Sequence, residues 1–365
     1  MVRTIHHYVP FTTNVGDLFV RDGIHARLRE HFPGAEIVEL KANDPGQRAD
    51  GPVGLSGENL ERTNREAQLV IVGGSNMYEG PRWRFKTDMD SLRALRPPLA
   101  FIGLGVGSVR AARERPLTPE SVEEIQFSHR KALGAAVRDK PTVDFLAGLG
   151  LESTLTACPA TFVGNRPIKT GKVRRVVISA PPVRFLPKWG HKGFLGGMIM
   201  LRSFKRLLAG YQRQGLDWDV IAQDQKDLTY LDGLLAPYGR KPISFGNETE
   251  PYYQIFQAAD FAICYRLHMA ISCLGWGTPF ALVNFDKRTA AFRETYAIDA
   301  MTFDAFSLRA QRRLRKAVGD AGAMERVATD LFTEVPRRRD QFRETTNQFY
   351  QRLAAAVRDG GNTGT

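Results

Sequence analysis

A chain of 365 residues is longer than one hydrophobic core commonly organises, so two domains are expected. With 43% hydrophobic and 25% charged residues it has the composition of a soluble globular protein, and no stretch reaches the roughly 18 uninterrupted apolar residues of a membrane-spanning helix. Lys and Arg outnumber Asp and Glu by 51 to 39, and this net +12 suits an anionic partner: nucleic acid, an acidic membrane surface or a phosphorylated small substrate. The N-terminal MVRTIHHYVPF lacks the apolar core and cleavage site of a secretory signal, which points to the cytoplasm. Cys158, Cys264 and Cys273 form no CxxC pair and read as reduced, buried thiols.

In chain order, strand-like apolar runs alternate with amphipathic helical stretches, the pattern of βαβ units built on parallel sheets. TIHHYVPF, AEIVEL, LVIVGG and PLAFIGLG read as strands. DLFVRDGIHARLREHF has helical spacing, and a second helix is expected over KTDMDSLRAL. SVEEIQFSHRKALGAAVRD reads as helix, turn and short strand, TVDFLAGLG as another helix, and the unit closes near LTACPATFV. GNRPIKTGKV, residues 164–173, has no periodicity and marks a linker. A second unit follows, with VVISA, DWDVIAQD and FAICY as strands and MIMLRSFKRLLAGYQRQG, LTYLDGLLAPYG and PYYQIFQAAD as helices. From Leu308 onward QRRLRKAV and MERVATDLFTEVPRRRDQFRETTNQFYQRLAAAVRD are helical and basic, ahead of a GGNTGT tail. The expected fold class is α/β, with two doubly wound Rossmann-like domains facing a cleft. Residues 1–166 form the first domain, 167–335 the second, and 336–365 a basic terminal helix of the kind that often crosses back.

Open α/β sheets bind ligands beyond the carboxyl ends of their strands, so chemistry is sought in the loops that follow them. After the first strand, TTNVGD sets Asn14 and Asp17 around Gly16. Helix capping and a tight turn account for all three, and Asp17 reads alternatively as an acceptor or base for a hydroxyl in the cleft. LVIVGGSNMYEG places Gly73 and Gly74 just past a strand, where backbone can approach a ligand, followed by the polar Ser75 and Asn76. FIGLGVGSVR spaces its glycines GxGxG and so lacks the GxGxxG of a dinucleotide site; there is no GxxxxGK[ST] loop and no HExxH. The histidines lack metal-ligand spacing, and the adjacent His6 and His7 alternate faces of a strand, so no metal is expected. Arg138 and Asp139 end a short strand in AAVRDKPT, where an anion site and a surface salt bridge are both open readings.

The densest stretch is CYRLHMAISCLGWGTPFALVNFDK, residues 264–287. Arg266, Leu267 and His268 follow the FAICY strand directly and start the helix-compatible MAISCLG, with Gly275 and Gly277 as its C-cap glycines. Helix N–H groups, the helix dipole and a guanidinium together suit phosphate or carboxylate. A bound phosphate would favour protonated His268 as a general acid, while the dipole opposes it. The alternative is that Arg266 pairs with a carboxylate and His268 caps a neighbour in a core. TPFALVNFDK then reads as a strand that delivers Asp286 and Lys287 to the same sheet edge, Lys287 being equally readable as a solvated residue.

The succession TNVGD, VIVGG, GLGVGS, VRDKPT, YRLH and GTPFALVNFDK resembles the polysaccharide pyruvyl transferase family over most of residues 10–295. The resemblance implies a fold like that of GT-B glycosyltransferases. It implies a role in polysaccharide biosynthesis, in which the enolpyruvyl unit of phosphoenolpyruvate passes to two sugar hydroxyls, forming a cyclic ketal and releasing phosphate. By the same resemblance Arg266, Leu267 and His268 meet phosphoenolpyruvate, His268 protonates its methylene carbon, and Arg138 clamps it from the other domain. Asp17 is the candidate for orienting or deprotonating the acceptor, and Asn14, Gly74, Ser75, Asn76 and Lys287 are further candidate substrate contacts. Phosphoenolpyruvate is then a co-substrate and no cofactor is implied. The acceptor is a saccharide or glycoconjugate, free or lipid-linked, with no role for nucleic acid. A peripheral contact with the inner membrane face is compatible with the basic residues of 309–355.

The chain has Cys158-Pro159-Ala160 where family members often have Asp-Pro-Ala, and Cys264-Tyr265 where Gly-Thr is common. Segment 181–194, PPVRFLPKWGHKGF, is a candidate acceptor loop, with Trp189 as a sugar-stacking face or a core residue. Two other readings share parts of this pattern: a GT-B glycosyltransferase using a nucleotide sugar, and a non-catalytic basic protein that binds nucleic acid or an anionic membrane.

Overall fold

The structure is a computed structural model, and it describes residues 2–10, 14–43, 51–74, 76–78, 83–106, 116–181, 190–331 and 334–360. The first domain runs β1 (Thr4–Pro10), α1 (Val15–His31), β2 (Glu36–Asn43), α2 (Gly57–Glu66), β3 (Leu69–Gly73), β4 (Asn76–Tyr78), α3 (Met89–Ala94), β5 (Leu99–Val106), α4 (Pro119–Lys131), β6 (Gly134–Val137), α5 (Lys140–Gly148) and β7 (Thr154–Leu155). The second runs β8 (Arg175–Ser179), α6 (Gly190–Gln214), β9 (Asp217–Ile221), α7 (Leu228–Leu235), α8 (Glu250–Ala258), β10 (Phe261–Cys264), α9 (Leu267–Gly275), β11 (Phe280–Asn284), α10 (Lys287–Tyr296), β12 (Thr302–Asp304), α11 (Leu308–Val318) and α12 (Ala321–Arg326), ahead of the terminal α13 (Glu334–Gly360).

All described strand pairs are parallel. The first sheet has seven strands in the order β2-β1-β3-β5-β6-β7 with β4 beside β5, and the second has five in the order β12-β11-β10-β8-β9. Parallel strands are covered on both faces, which explains uninterrupted apolar runs such as LVIVG and FAIC, buried throughout. The α/β alternation read from the sequence is thus the observed architecture. It did not reveal α2 and α10: α2 is amphipathic, but the residues it buries are the polar Asn59 and Thr63 and not an apolar stripe, and α10 shows almost no helical periodicity of apolar residues.

One core lies outside each sheet, and a third joins the two inner faces through α1 and α9. At its centre the Phe19 ring on α1 lies 5.9 Å from Tyr252, 5.2 Å from Tyr253 and 5.7 Å from Phe256, all on α8 of the other domain. Helix α13 returns to the first domain, where Thr346 Oγ1 donates to the Thr156 carbonyl at 3.1 Å and Tyr350 stacks on His31. On its way Arg339 Nη1 donates to the carbonyls of Arg166 at 2.6 Å and Leu274 at 3.2 Å, tying the interdomain link to the end of α9. No helix among the described residues is long and apolar enough to cross a membrane.

Candidate active site

The carboxyl ends of both sheets converge on α1 and α9. On the second-domain side, β10 stops where the Tyr265 and Arg266 N–H groups both donate to Ser179 Oγ, at 2.7 and 3.0 Å, at the end of the neighbouring β8. This turns the chain out of the sheet and makes Arg266 the extended N-cap of α9. Its guanidinium pairs with Asp227 Oδ2, and Asp227 is fully buried. The pairing with a carboxylate, one of the two readings open from sequence, is the one this structure displays. Leu267 follows with its side chain in the interdomain core. The helix ends one residue later than its glycines suggested. Gly275 is still helical, Trp276 is the C-cap, and Gly277 takes φ +72° while its N–H bonds the Leu274 carbonyl at 3.3 Å and the Thr278 N–H bonds that of Cys273 at 2.8 Å.

His268 is buried in the first turn of α9, with Nδ1 3.7 Å from Asp17 Oδ1 on α1 of the other domain. Gly16 makes that approach possible: a Cβ there would lie 2.6 Å from His268 Nδ1. Gly16 and Asp17 lie inside α1, which starts at Val15, so the expected tight turn is absent and the glycine answers to helix–helix contact instead. Asn14 is the N-cap, its Oδ1 accepting from the Gly16 N–H at 3.0 Å, and its backbone pairs with Asp224 of the second domain. His268 Nε2 is buried with no hydrogen-bond partner among the described residues. Burial first, then the charges of Arg138 and Arg288, hold this imidazole well below its usual 6.5, so it is neutral near pH 7.

Arg138 reaches the same place from the end of β6. Its Nε donates to Asp139 Oδ2 at 3.2 Å and its Nη2 to Asn76 Oδ1. Asp139 caps α5, accepting from the Thr142 N–H at 3.1 Å and Thr142 Oγ1 at 2.5 Å, and Thr142 Oγ1 accepts in turn from the Val106 N–H at 2.8 Å. Gly105 lies beneath the guanidinium, where a Cβ would come within 2.3 Å of Arg138 Nε. Within the GxGxG run, Gly105 thus makes room for the arginine, while Gly103, at φ +68°, backs onto Pro159. Asn76, a candidate substrate contact from sequence, is a buried holder of Arg138 here.

The second domain repeats the device. Asp286 caps α10, accepting from the Thr289 N–H at 2.9 Å and Thr289 Oγ1 at 2.8 Å, and Arg288 donates Nη2 and Nε to Asp286 Oδ2 at 2.7 and 3.1 Å. Burial would raise the Asp286 carboxyl, but the Arg288 charge and these hydrogen bonds hold it below its usual range. Lys287 is exposed on the first turn of α10, while Arg288 is the residue whose charge reaches His268. Gly74, at φ +94°, backs onto Val20 and Ile24 of α1. Ser75 and Trp189 lie outside the described residues, as does most of segment 181–194. Cys158, at the position where the family often has aspartate, is buried, and its thiol is pushed up to about 11 by burial against the opposing charge of Arg138. It therefore brings no negative charge beside the arginine.

Sequence reading missed Asp227, Ser179 and Arg288. A signal existed for Arg288 alone, since DKPT after β6 and DKRT after β11 repeat one capping pattern. Asp227 precedes α7 and Ser179 ends a strand, and nothing local distinguishes either from an ordinary surface or core polar residue.

The fold is similar to a protein assigned as a UDP-N-acetylglucosamine 2-epimerase from Listeria monocytogenes, with TM-score 0.52 and 10% identity, over 95% of this chain and 96% of that one. It is similar also to the UDP-GlcNAc 2-epimerase from Neisseria meningitidis solved with UDP-GlcNAc bound, with TM-score 0.50 and 9% identity, over 95% and 100% of the two chains. At such identities the likeness describes the fold alone, a GT-B-like pair of α/β domains. No curated protein sequence matches the chain. The model of the polysaccharide pyruvyl transferase family matches residues 14–287, from the cap of α1 to the first residue of α10. The chain belongs to the polysaccharide pyruvyl transferase family and is a transferase.

Proposed function

We propose that this enzyme transfers the enolpyruvyl unit of phosphoenolpyruvate to two hydroxyls of a saccharide acceptor, forming a cyclic pyruvate ketal and releasing phosphate. The observation that carries the reading is a buried, neutral histidine faced by arginines from both domains: Arg138 from the first and Arg288 from the second, with Arg266 beside it at the head of α9. Phosphoenolpyruvate carries a phosphate and a carboxylate on one small carbon frame, and guanidinium forks suit both groups.

Without ligand, burial first and then the charges of Arg138 and Arg288 keep His268 deprotonated. The negative charge of bound phosphoenolpyruvate offsets them and raises the imidazole pKa, so the acid forms once the substrate is in place. His268 then donates its proton to the methylene carbon. The carbon bearing the phosphate becomes oxocarbenium-like, and the first acceptor hydroxyl adds to it and gives up its proton. Cleavage of the bond to phosphate regenerates an electrophilic carbon, which the second hydroxyl attacks to close the ring. Of the two hydroxyl protons one restores the His268 acid and the other leaves on phosphate. Asp17, whose Oδ1 lies 3.7 Å from His268 Nδ1, is the candidate for orienting the acceptor and for relaying the first of these protons back to His268. These are acid–base steps, so the reading requires phosphoenolpyruvate as co-substrate and no added cofactor.

Mass spectrometry of candidate glycans incubated with phosphoenolpyruvate tests the reading through the added pyruvyl mass, alongside phosphate release. Calorimetry separates it from nucleotide-sugar transfer: phosphoenolpyruvate is expected to bind and UDP-N-acetylglucosamine is not, and the opposite result overturns it.

A further inference from the structure

The positive charge of this protein is concentrated on two neighbouring helices. Helix α6 carries five Lys or Arg residues and α11 another five, with no Asp or Glu in either, so together they supply +10 against the chain's net +12. The helices are packed together: Arg315 Nη1 on α11 donates to Ser203 Oγ on α6 at 3.0 Å, and Gly196 sits against Phe306 just before α11. Burial, and then the charges of Arg206 and Arg312, lower the Arg315 guanidinium below its usual value, which places three arginines within mutual repulsion across the helix pair. The outward residues Arg202, Lys205, Arg206, Arg309, Arg312 and Lys316 are exposed and form no ion pair among the described residues.

The same face carries exposed apolar side chains where the helices begin. Phe194, Leu195 and Met198 are 64%, 58% and 53% exposed, and Leu308 is 48% exposed. Both helices are built alike along their outer stripes: Phe194, Met198, Arg202 and Arg206 follow one another at intervals of four, as do Leu308, Arg312 and Lys316. Solvated helix faces alternate charges of both signs and do not begin with adjacent exposed Phe and Leu. Apolar side chains grouped beside uncompensated cations match a surface with negative headgroups over hydrocarbon.

We propose that the α6–α11 face docks the enzyme on an anionic phospholipid bilayer, with Phe194, Leu195, Met198 and Leu308 entering the headgroup region and the arginines and lysines meeting lipid phosphates. The orientation has a consequence for the site. Helices α6 and α11 begin at the carboxyl edge of the second sheet, the edge that presents Ser179, Arg266 and His268. A docked enzyme therefore holds its cleft next to the membrane, where an acceptor carried on a lipid would be delivered.

Flotation of the full chain with vesicles tests this without reference to catalysis. Binding is expected to vesicles mixing phosphatidylcholine with phosphatidylglycerol and not to phosphatidylcholine alone, weakening as salt rises. Arg206→Glu with Arg312→Glu is expected to cut affinity more than about tenfold, each basic residue at such a surface being worth about fivefold. Phe194→Ser with Leu195→Ser is expected to lower it comparably, and both variants should keep the parental melting temperature and phosphoenolpyruvate affinity. No binding to the mixed vesicles, or binding that survives both variants, overturns the proposal. So does tighter binding to duplex DNA than to vesicles, or a wild-type dimer that both variants dissolve, which would assign the face to a second copy.

Discussion

Each domain brings one arginine to bear on His268, and the two are held in different ways. Arg138 leaves the end of a strand, is buried, and is gripped by Asp139, by Asn76 and by the bare backbone of Gly105. Arg288 rises from the first turn of a helix, its side chain 18% exposed, with Nε and Nη2 both directed to one oxygen of Asp286. The caps beneath them are the same, an aspartate that accepts from the N–H and hydroxyl of a threonine three residues on. A helix N-cap can thus anchor a cation either from the strand before it or from the turn after it. The strand-borne arginine is confined by sheet neighbours and has a fixed position, while the helix-borne one follows its cap and has more room.

The largest effect is expected at His268, on which the charges of both arginines act. His268→Ala should reduce phosphate release from phosphoenolpyruvate by about 10³-fold, in the range of a lost general acid, with phosphoenolpyruvate binding by calorimetry largely retained. Unchanged turnover would remove His268 from the chemistry and leave the comparison without a centre. Next, Arg138→Lys should lower kcat/KM by about 10²-fold, because a point charge cannot replace a fork bonded to Asp139 and Asn76 and its misplacement is felt at the reacting atoms. Arg288→Lys should cost about tenfold, roughly 1.4 kcal/mol, since charge matters more than shape at the roomier site. Equal losses from the two variants would show that the difference in confinement has no bearing on catalysis.

Gly16→Ala probes the contact that brings the domains together. The added methyl meets His268 and should destabilise the protein by about 1–3 kcal/mol in thermal or denaturant melts while lowering kcat a few-fold. Wild-type stability at Gly16→Ala would mean that α1 and α9 have slack that the 2.6 Å approach does not suggest.

The last prediction concerns pH. His268, His6, His7, His25, His31 and His129 all have their folded-state pKa values lowered, chiefly by burial, to about 4 for His25 and His129. A histidine kept neutral by the fold takes up its proton more readily in the unfolded chain. Stability is therefore full above about pH 6.5 and falls as pH drops toward the folded values, by about 1.4 kcal/mol per pH unit for each such group. Melts at pH 7, 6 and 5 check this, and His268→Asn should make the slope shallower by one histidine's share. Phosphoenolpyruvate should flatten it too, because it permits His268 to be charged in the folded state. A slope that neither the variant nor the ligand alters would place the titration wholly on the other histidines.

Much of the site was legible because parallel α/β folds put ligands after strands, and Arg138, Arg266 and His268 each follow an apolar run that only a buried strand would bear. The holders were less so. Asn76 and Gly74 stood out as polar or flexible residues past a strand, and the structure turns both inward, one to Arg138 and one to α1. Gly105 of GLGVG was visible in a pattern without a purpose, because the side chain it makes room for, Arg138, follows β6 and not its own strand. Asp227 was invisible: its partner Arg266 is distant in sequence, and the aspartate owes its importance to complete burial, which composition does not reveal.

By itself the sequence determined two α/β units and the strand-end positions of Arg138, Arg266 and His268. These follow from local periodicity and chain order, which act over a few residues. Only the tertiary structure decided which acid each arginine meets, that α1 presses Gly16 and Asp17 against His268, and that the imidazole lies neutral between charges from two domains. Those outcomes depend on the packing of α1 against α9 across a shared core, and the separation of residues 16, 138, 227, 268 and 288 in space is a property of that packing which no local pattern encodes.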